Sequence, residues 1–192
     1  GRPLRDPLNE PRHQEDPQLV TLSDCEALLI GCGAAKQPTA VRAAELYTST
    51  YFKEKVKFAE ALGKPWAILS AKYGILQPDS LTAPYDFSAG QLTPEELREW
   101  VAGVALQLFS WEPFMGDGPL LSLRSIRRLG IIAGETYVTP LTATLATLGV
   151  EVLNPCKGLG LGQQVAWLRE FTNSQPLALD EVRELETAAI LQ

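Results

Sequence analysis

Ala27-Leu28-Leu29-Ile30-Gly31 is a short apolar run that ends in glycine, and the polar segment 32–39 follows it directly. A continuous apolar run of this length, bounded by turn residues, is typical of a strand that is buried on both faces. The run therefore predicts a buried strand, and the organisation of the remaining chain can be followed outward from it.

Strands and helices alternate after this first strand. Three further strands are predicted at residues 66–70, 126–133 and 150–153. Apolar spacing and capping residues predict the helices at residues 41–46, 50–62, 94–109, 139–149 and 163–171, with an amphipathic helix from Leu179. Residues 71–87 and 111–121 are predicted loops. This alternation predicts a three-layer α/β/α fold with a mainly parallel central sheet of about four or more strands.

Length and composition place bounds on the class of protein. The 192 residues suit one domain, and we predict an extended or disordered arm over residues 1–22 and a single α/β domain over 23–192. The net charge of −6 argues against broad binding to duplex nucleic acid but permits a small basic pocket. No apolar run approaches the roughly 20 residues that span a bilayer, so no membrane association is expected.

The cysteine and histidine content limits the kinds of catalytic and metal-binding site that the chain can form. The three cysteines, Cys25, Cys32 and Cys156, are odd in number and irregularly spaced, which favours a reduced, cytoplasmic protein over a disulfide framework. His13 is the only histidine, so a His-based zinc site or a Ser-His-Asp triad is not expected. No metal and no cofactor are predicted, and the oligomeric state is left open.

Polar residues follow each of the four predicted strands, in segments 31–36, 70–74, 134–137 and 154–164. Ligands of open parallel sheets bind beyond the carboxyl ends of the strands, so these segments are expected to line one crevice. The predicted catalytic residues are Glu135, Lys72 and Lys36. The predicted ligand-binding residues are Cys32, Gly33, Tyr47, Ser49, Ser70, Tyr73, Tyr85, Asp86, Tyr137, Lys157, Gly158, Gly160 and Gln163.

Each candidate residue type has a functional interpretation and a simpler structural alternative. Lys36, Lys72 and Lys157 would make a positive mouth for a phosphate, or they are solvated loop charges. Glu135 is a candidate general acid or base, or only a helix-start charge. The tyrosines would stack on a base or pack structurally. Cys32 is a candidate nucleophile beside a lysine, although a small buried thiol is the simpler interpretation.

The glycine-rich segment Gly158–Gly162 precedes a predicted helix, where free backbone N–H groups can bind an anion. Its spacing matches neither a dinucleotide-binding motif nor a phosphate-binding loop, and a plain tight connection is the alternative.

Several separated motifs resemble a family of bacterial and phage domains of unknown function, over about residues 27–170. Leu69-Ser70-Ala71-Lys72-Tyr73-Gly74-Ile75-Leu76 is the central motif, and Pro84-Tyr85-Asp86 follows it. The family's Ala-x-x-Leu-Tyr-x-Ser segment matches residues 43–49, and its final motif matches residues 155–168. Its Cys-Ser-Lys-x-Lys segment corresponds to residues 32–36, where the earlier lysine is absent.

The same central segment is more distantly similar to the YaaA family of peroxide-stress proteins. The matching positions are Leu69, Ser70, Tyr73, Gly74, Leu76, Pro78, Pro84 and Tyr85, and Asp86 stands where that family has arginine. The resemblance implies DNA binding and protection from oxidative damage. A looser likeness, at the level of the fold alone, is to α/β/α domains of the uracil-DNA-glycosylase type.

Three functions remain open from the sequence. The first is a nucleic-acid-linked protein, acting in DNA repair or stress response, that binds or processes a flipped or single-stranded nucleotide. The second is an enzyme that acts on a free nucleotide, a nucleoside or another small anionic metabolite. The third is a non-catalytic interaction domain. The sequence does not decide whether the protein is an enzyme.

Overall fold

The computed structural model describes residues 22–111 and 126–174. Its centre is a five-stranded sheet in the order β4-β3-β1-β6-β7. These strands are β1 (Ala27–Gly31), β3 (Trp66–Ser70), β4 (Gly74–Leu76), β6 (Arg128–Ile132) and β7 (Glu151–Leu153). Two very short strands, β2 (Val41–Arg42) and β5 (Leu81–Thr82), pair antiparallel beside the main sheet.

The sheet is parallel except at one edge. β1 pairs parallel with β3 on one side and with β6 on the other, and β7 continues the parallel order beyond β6. β4 folds back antiparallel on β3, with Ser70 opposite Gly74. The predicted mainly parallel α/β/α fold is therefore confirmed.

Helices cover both faces of the sheet. They are α1 (Ala43–Leu46), α2 (Thr50–Leu62), α3 (Pro94–Ser110), α4 (Glu135–Thr147) and α5 (Leu161–Ser174). α2 and α5 pack on one face, where Leu28 and Ile30 of β1 meet Phe52, Phe58 and residues of α5. α3 and α4 pack on the other face against Ala27 and Leu29. Alternate residues of β1 thus point into two separate apolar cores, which explains its unbroken apolar sequence.

The capping box predicted before α3 is present. Thr93 Oγ1 accepts from the Glu96 amide at 3.2 Å, and Glu96 Oε2 accepts from the Thr93 amide at 2.7 Å. These two bonds satisfy backbone N–H groups that the helix start otherwise leaves without partners.

Three parts of the predicted secondary structure need correction. The predicted helix 41–46 is helical only from Ala43, because Val41 and Arg42 form β2 and pair with β5. The predicted loop 71–87 contains β4 and β5, which are too short for a periodic pattern. α4 begins at Glu135 rather than at Thr139, because the Gly134 carbonyl already accepts from the amides of Tyr137 and Val138. Pro140 therefore lies inside the helix instead of marking its start.

Some predictions concern residues outside the described part. They are the arm before Leu22, the loop after Trp111 and the helix from Leu179. Leu22 itself has a buried side chain. Within the described residues, no helix combines the length and apolar character needed to cross a bilayer.

Candidate functional site

The strand order has its switch point between β1 and β6. The chain runs from β1 to β3 on one side and later returns to β6 on the other side of β1. Such a change of direction leaves an opening beyond the carboxyl ends of the two strands, which is where doubly wound sheets bind ligands. Gly31 and Ala133 meet at this point, since a Cβ on Gly31 would lie 2.9 Å from the Ala133 Cβ.

A chain of hydroxyl groups joins three elements beside the crevice. Ser70 Oγ, at the end of β3, lies 2.8 Å from the Tyr85 hydroxyl, which lies 2.7 Å from the Tyr47 hydroxyl. Ser70 Oγ also accepts from the amides of Lys72 and Tyr73, both at 3.2 Å. Because these amides occupy its lone pairs, the Ser70 proton goes to Tyr85, and the Tyr85 and Tyr47 hydroxyls share a further hydrogen bond.

Two of the predicted lysines come together on the Tyr85 ring. Lys36 Nζ lies 4.3 Å and Lys72 Nζ 5.5 Å from the ring centroid. Lys36 also donates to the Ala34 carbonyl at 3.0 Å, and Lys72 lies 5.2 Å from the centroid of Tyr73. Cation–π attraction holds both ammonium groups near the Tyr85 ring while leaving protons available for a ligand.

An open groove of about 560 Å³ runs along this surface. Its lining residues are Lys72, Pro84, Tyr85, Asp86 and Phe87. The wall therefore presents a cation, two aromatic rings and one carboxylate. The ring of Tyr73 packs edge-on against Tyr85 at 5.4 Å and remains 37% exposed.

The tyrosines of the site are neutral hydrogen-bonding groups. Burial raises the pKa of Tyr85 to about 12. Burial and the bond to Tyr85 raise the pKa of Tyr47, and burial together with the nearby Cys32 raises that of Tyr137. All three hydroxyls therefore keep their protons at neutral pH, so they act as donors and acceptors rather than as bases.

Cys32 connects the two helical layers at the crevice. Its half-buried sulfur lies 4.0 Å from the hydroxyl of Tyr137, which belongs to the first turn of α4. The ring of Tyr137 packs on Trp100 of α3 at 5.2 Å, and the Trp100 indole N–H donates to the Ser70 carbonyl at 3.0 Å. Trp100 was not predicted as a site residue, and it fixes both Tyr137 and the end of β3.

A buried lysine that was not predicted as a site residue lies at the ends of β1 and β6. Lys55 of α2 is 2% exposed, and its ammonium donates to the Gly31 carbonyl at the end of β1. Desolvation lowers its pKa to about 8. The available signal was its helical spacing, since Lys55 falls three residues after Phe52 and four before Ala59 on the apolar face.

The remaining predicted residues lie around this centre or apart from it. Gly33 adjoins Ser49 and Tyr47, and the Ser49 hydroxyl caps α2 by accepting from the Phe52 amide at 3.2 Å. The exposed carboxylate of Glu135 accepts from the Thr139 hydroxyl at 3.1 Å and forms no salt bridge with a lysine among the described residues.

The loop after β7 approaches the site through a different residue from those predicted. Lys157 and Gly158 are exposed, and Gln163 accepts from the Gly160 amide at 2.9 Å within its own turn. The neighbouring Gln164 accepts the hydroxyl hydrogen bond of Tyr51 on α2 and so connects this turn to the helix that carries Lys55.

The fold and the described side chains together define an α/β/α domain with an open aromatic groove that includes Lys72, just after the end of β3. Residues 27–170 match the sequence profile of the Family of unknown function (DUF6884), and the chain belongs to that family. The expectation of a family of unknown function is thereby confirmed.

The chain is also similar to a protein of Bacillus subtilis (strain 168), the uncharacterized protein YfjM. The two are 39% identical over 82 residues, which cover 36% of this chain and 55% of that protein. The match thus spans about half the length of the relative.

Proposed function

We propose that the crevice binds a nucleotide unit of single-stranded or flipped nucleic acid. The observation that carries the proposal is the convergence of Lys36 and Lys72 on the ring of Tyr85, at the wall of an open groove. Two ammonium groups suit a phosphate, and the adjoining aromatic rings suit a base.

The aromatic part of the groove supports recognition of a base. Tyr73 offers an exposed ring, and Phe87 lines the groove beside Tyr85. Stacking of one base on such a surface contributes about 1–3 kcal/mol, regardless of which base it is. Because the groove is open, the strand can continue on either side of the bound nucleotide.

The biological setting is part of the same proposal. The similarity of segment 69–85 to the YaaA family supports DNA as the nucleic acid, and repair or protection from oxidative damage as the process. The free thiols of Cys25, Cys32 and Cys156 favour the cytoplasm. Binding is the proposed activity, and we assign no acid–base step to Glu135, whose carboxylate pairs with Thr139.

The test compares binding of a short fluorescent single-stranded oligonucleotide to three variants by anisotropy. We expect Lys36→Ala and Lys72→Ala each to weaken binding roughly 10-fold, the loss typical of one charge-assisted contact. Lys64→Ala is the matched control, because it removes the same charge just before β3, at the opposite edge of the sheet. Equal binding by all three variants would show that the crevice is wrongly placed.

A free nucleotide is the second candidate ligand, and the net charge of −6 favours it. An acidic body repels a long polyanion more than it repels one nucleotide. Salt dependence separates the two, since affinity for a strand falls with salt in proportion to the number of phosphates contacted. An affinity for nucleoside monophosphates that equals the affinity for the oligonucleotide, with a shallow salt slope, would favour the free nucleotide.

A further inference from the structure

Lys55 is a buried cation for which the described residues provide no carboxylate. Its side chain is 2% exposed, and its ammonium donates to the Gly31 carbonyl. The carboxylate next to it in sequence, Glu54, is engaged elsewhere, with Arg169 at 3.1 Å and Lys57 at 3.6 Å. A buried charge without a partner of opposite sign destabilises a fold, so a positive group in this position calls for an explanation.

The groups that face Lys55 come from three elements. The Tyr51 ring, on the same helix, has its centroid 4.3 Å from the lysine nitrogen. The thiols of Cys32, after β1, and Cys156, after β7, are close enough to influence the titration of the lysine. Burial raises the pKa of Cys156 to about 11, so that thiol is neutral at physiological pH and supplies no negative charge.

The position of the ammonium relates it to the crevice. A Cβ on Gly31 would lie 3.5 Å from Lys55 Nζ and 2.9 Å from Ala133, so the nitrogen lies just below the point where β1 and β6 end. The half-buried Cys32 lies next along the chain after Gly31. One ammonium proton goes to the Gly31 carbonyl, and two remain for another acceptor.

We infer that Lys55 binds a phosphate group at the floor of the crevice. The phosphate provides the counter-charge that the described residues do not. This inference rests on the proposed function, since the nucleotide supplies the phosphate, and it adds a third cation to Lys36 and Lys72. It also explains why a destabilising buried charge is present, because sites that bind ligands sacrifice stability of the empty protein.

The test rests on the change in melting temperature when Lys55 is replaced, which is expected to be an increase for a functional lysine and a decrease for a structural one. Lys55→Met keeps the length of the side chain and removes the charge. In chloride buffer we expect its melting temperature to exceed the wild-type value by roughly 3–10 °C, because an apolar side chain replaces an uncompensated ion. A lysine needed only to bond the Gly31 carbonyl predicts a lower melting temperature instead.

Inorganic phosphate, at an ionic strength matched with chloride, is the probe for the anion. We expect phosphate to raise the melting temperature of the wild type saturably and that of Lys55→Met hardly at all. Lys53→Met is the matched control, because it removes the same charge from an exposed position of the same helix. This control should respond to phosphate as the wild type does.

Each other outcome overturns the inference. A lower melting temperature for Lys55→Met in chloride assigns Lys55 a structural role, as does failure of both Lys55→Met and Lys55→Gln to fold. A phosphate effect that is absent from the wild type, or equal in the wild type and Lys55→Met, excludes a phosphate at Lys55.

The proposed function is judged separately, by oligonucleotide binding to the Lys36 and Lys72 variants. Binding that depends on those lysines but not on Lys55 would leave the proposed function standing and refute the inference. A phosphate site that depends on Lys55, in a protein that binds no nucleotide, would support the inference and refute the proposed function.

Discussion

Replacing Tyr85 by phenylalanine removes one oxygen atom at the centre of the hydroxyl chain. That oxygen lies 2.8 Å from Ser70 Oγ and 2.7 Å from the Tyr47 hydroxyl. Both partners are inaccessible to solvent, with exposed fractions of 0% for Ser70 and 1% for Tyr47. The substitution therefore breaks two hydrogen bonds and leaves two buried hydroxyls that water cannot reach.

The expected loss follows from these contacts. A net contribution of about 1 kcal/mol for each bond, with the added cost of unsatisfied buried partners, gives a decrease of about 2–3 kcal/mol in the free energy of unfolding. For a domain of this size that corresponds to a decrease in melting temperature of roughly 4–12 °C. The ring remains in place, so the cation–π contacts of Lys36 and Lys72 are retained.

Urea unfolding followed by tryptophan fluorescence measures this difference, with Tyr73→Phe as the matched control. The Tyr73 hydroxyl makes no hydrogen bond within the described residues, and its side chain is 37% exposed. We expect the control to remain within about 0.5 kcal/mol of the wild type. Adding Tyr47→Phe to Tyr85→Phe should cost less than the sum of the two single changes, because the two hydroxyls share a bond.

Two results would refute this reasoning. Equal stability of Tyr85→Phe and Tyr73→Phe would show that the hydroxyl chain contributes nothing to the fold. Strict additivity of the Tyr47 and Tyr85 substitutions would show that the two hydroxyls do not interact.

Three further predictions concern other parts of the structure. Gly31→Ala should destabilise the domain by about 1–3 kcal/mol, because its Cβ would lie 2.9 Å from the Cβ of Ala133. In the control Gly103→Ala, which lies in helix α3, the new Cβ meets no atom within 4 Å, so this substitution should not destabilise the domain. Thermal unfolding of both variants measures the difference. Glu96→Ala should cost about 1 kcal/mol by removing one half of the capping box of α3, and unchanged stability in urea would contradict that role. Burial lowers the pKa of Lys55 from 10.5 to about 8, so the cost of its buried charge is complete below pH 8 and disappears between about pH 8 and 10.5. The stability advantage of Lys55→Met over the wild type should therefore shrink by about 3 kcal/mol across that range. A constant difference in the free energy of unfolding would contradict the burial of the charge.

Local sequence determined most of the secondary structure. The apolar run 27–31 and the run 66–70 became β1 and β3 at the predicted residues, because a strand buried on both faces needs apolar side chains at every position. The capping residues of α3 also act as predicted, since their hydrogen bonds are made between neighbours in the chain. Where the pattern is only two or three residues long, as in β4 and β5, local sequence carried too little information.

The crevice required the tertiary structure. The sequence indicated that Lys36 and Lys72 follow strand ends, but only the tertiary structure places both lysines on the ring of Tyr85. Glu135 met the same local criterion, yet its carboxylate pairs with Thr139 on its own helix. A residue that comes directly after a strand lies at a known edge of the sheet, but this position does not determine the direction of its side chain.

Lys55 is the clearest example of a residue whose environment could not be predicted from the sequence. A lysine on an amphipathic helix is most often solvated, and the spacing of Lys55 from Phe52 and Ala59 is a weak local signal that does not by itself predict burial. Its burial results from the packing of α2 against β1, which brings its nitrogen to the Gly31 carbonyl. The sequence by itself determined which segments form the sheet and its helical layers, because that depends on residue patterns along the chain. Only the tertiary structure decided which charges meet in the crevice, because that depends on contacts between segments far apart in sequence.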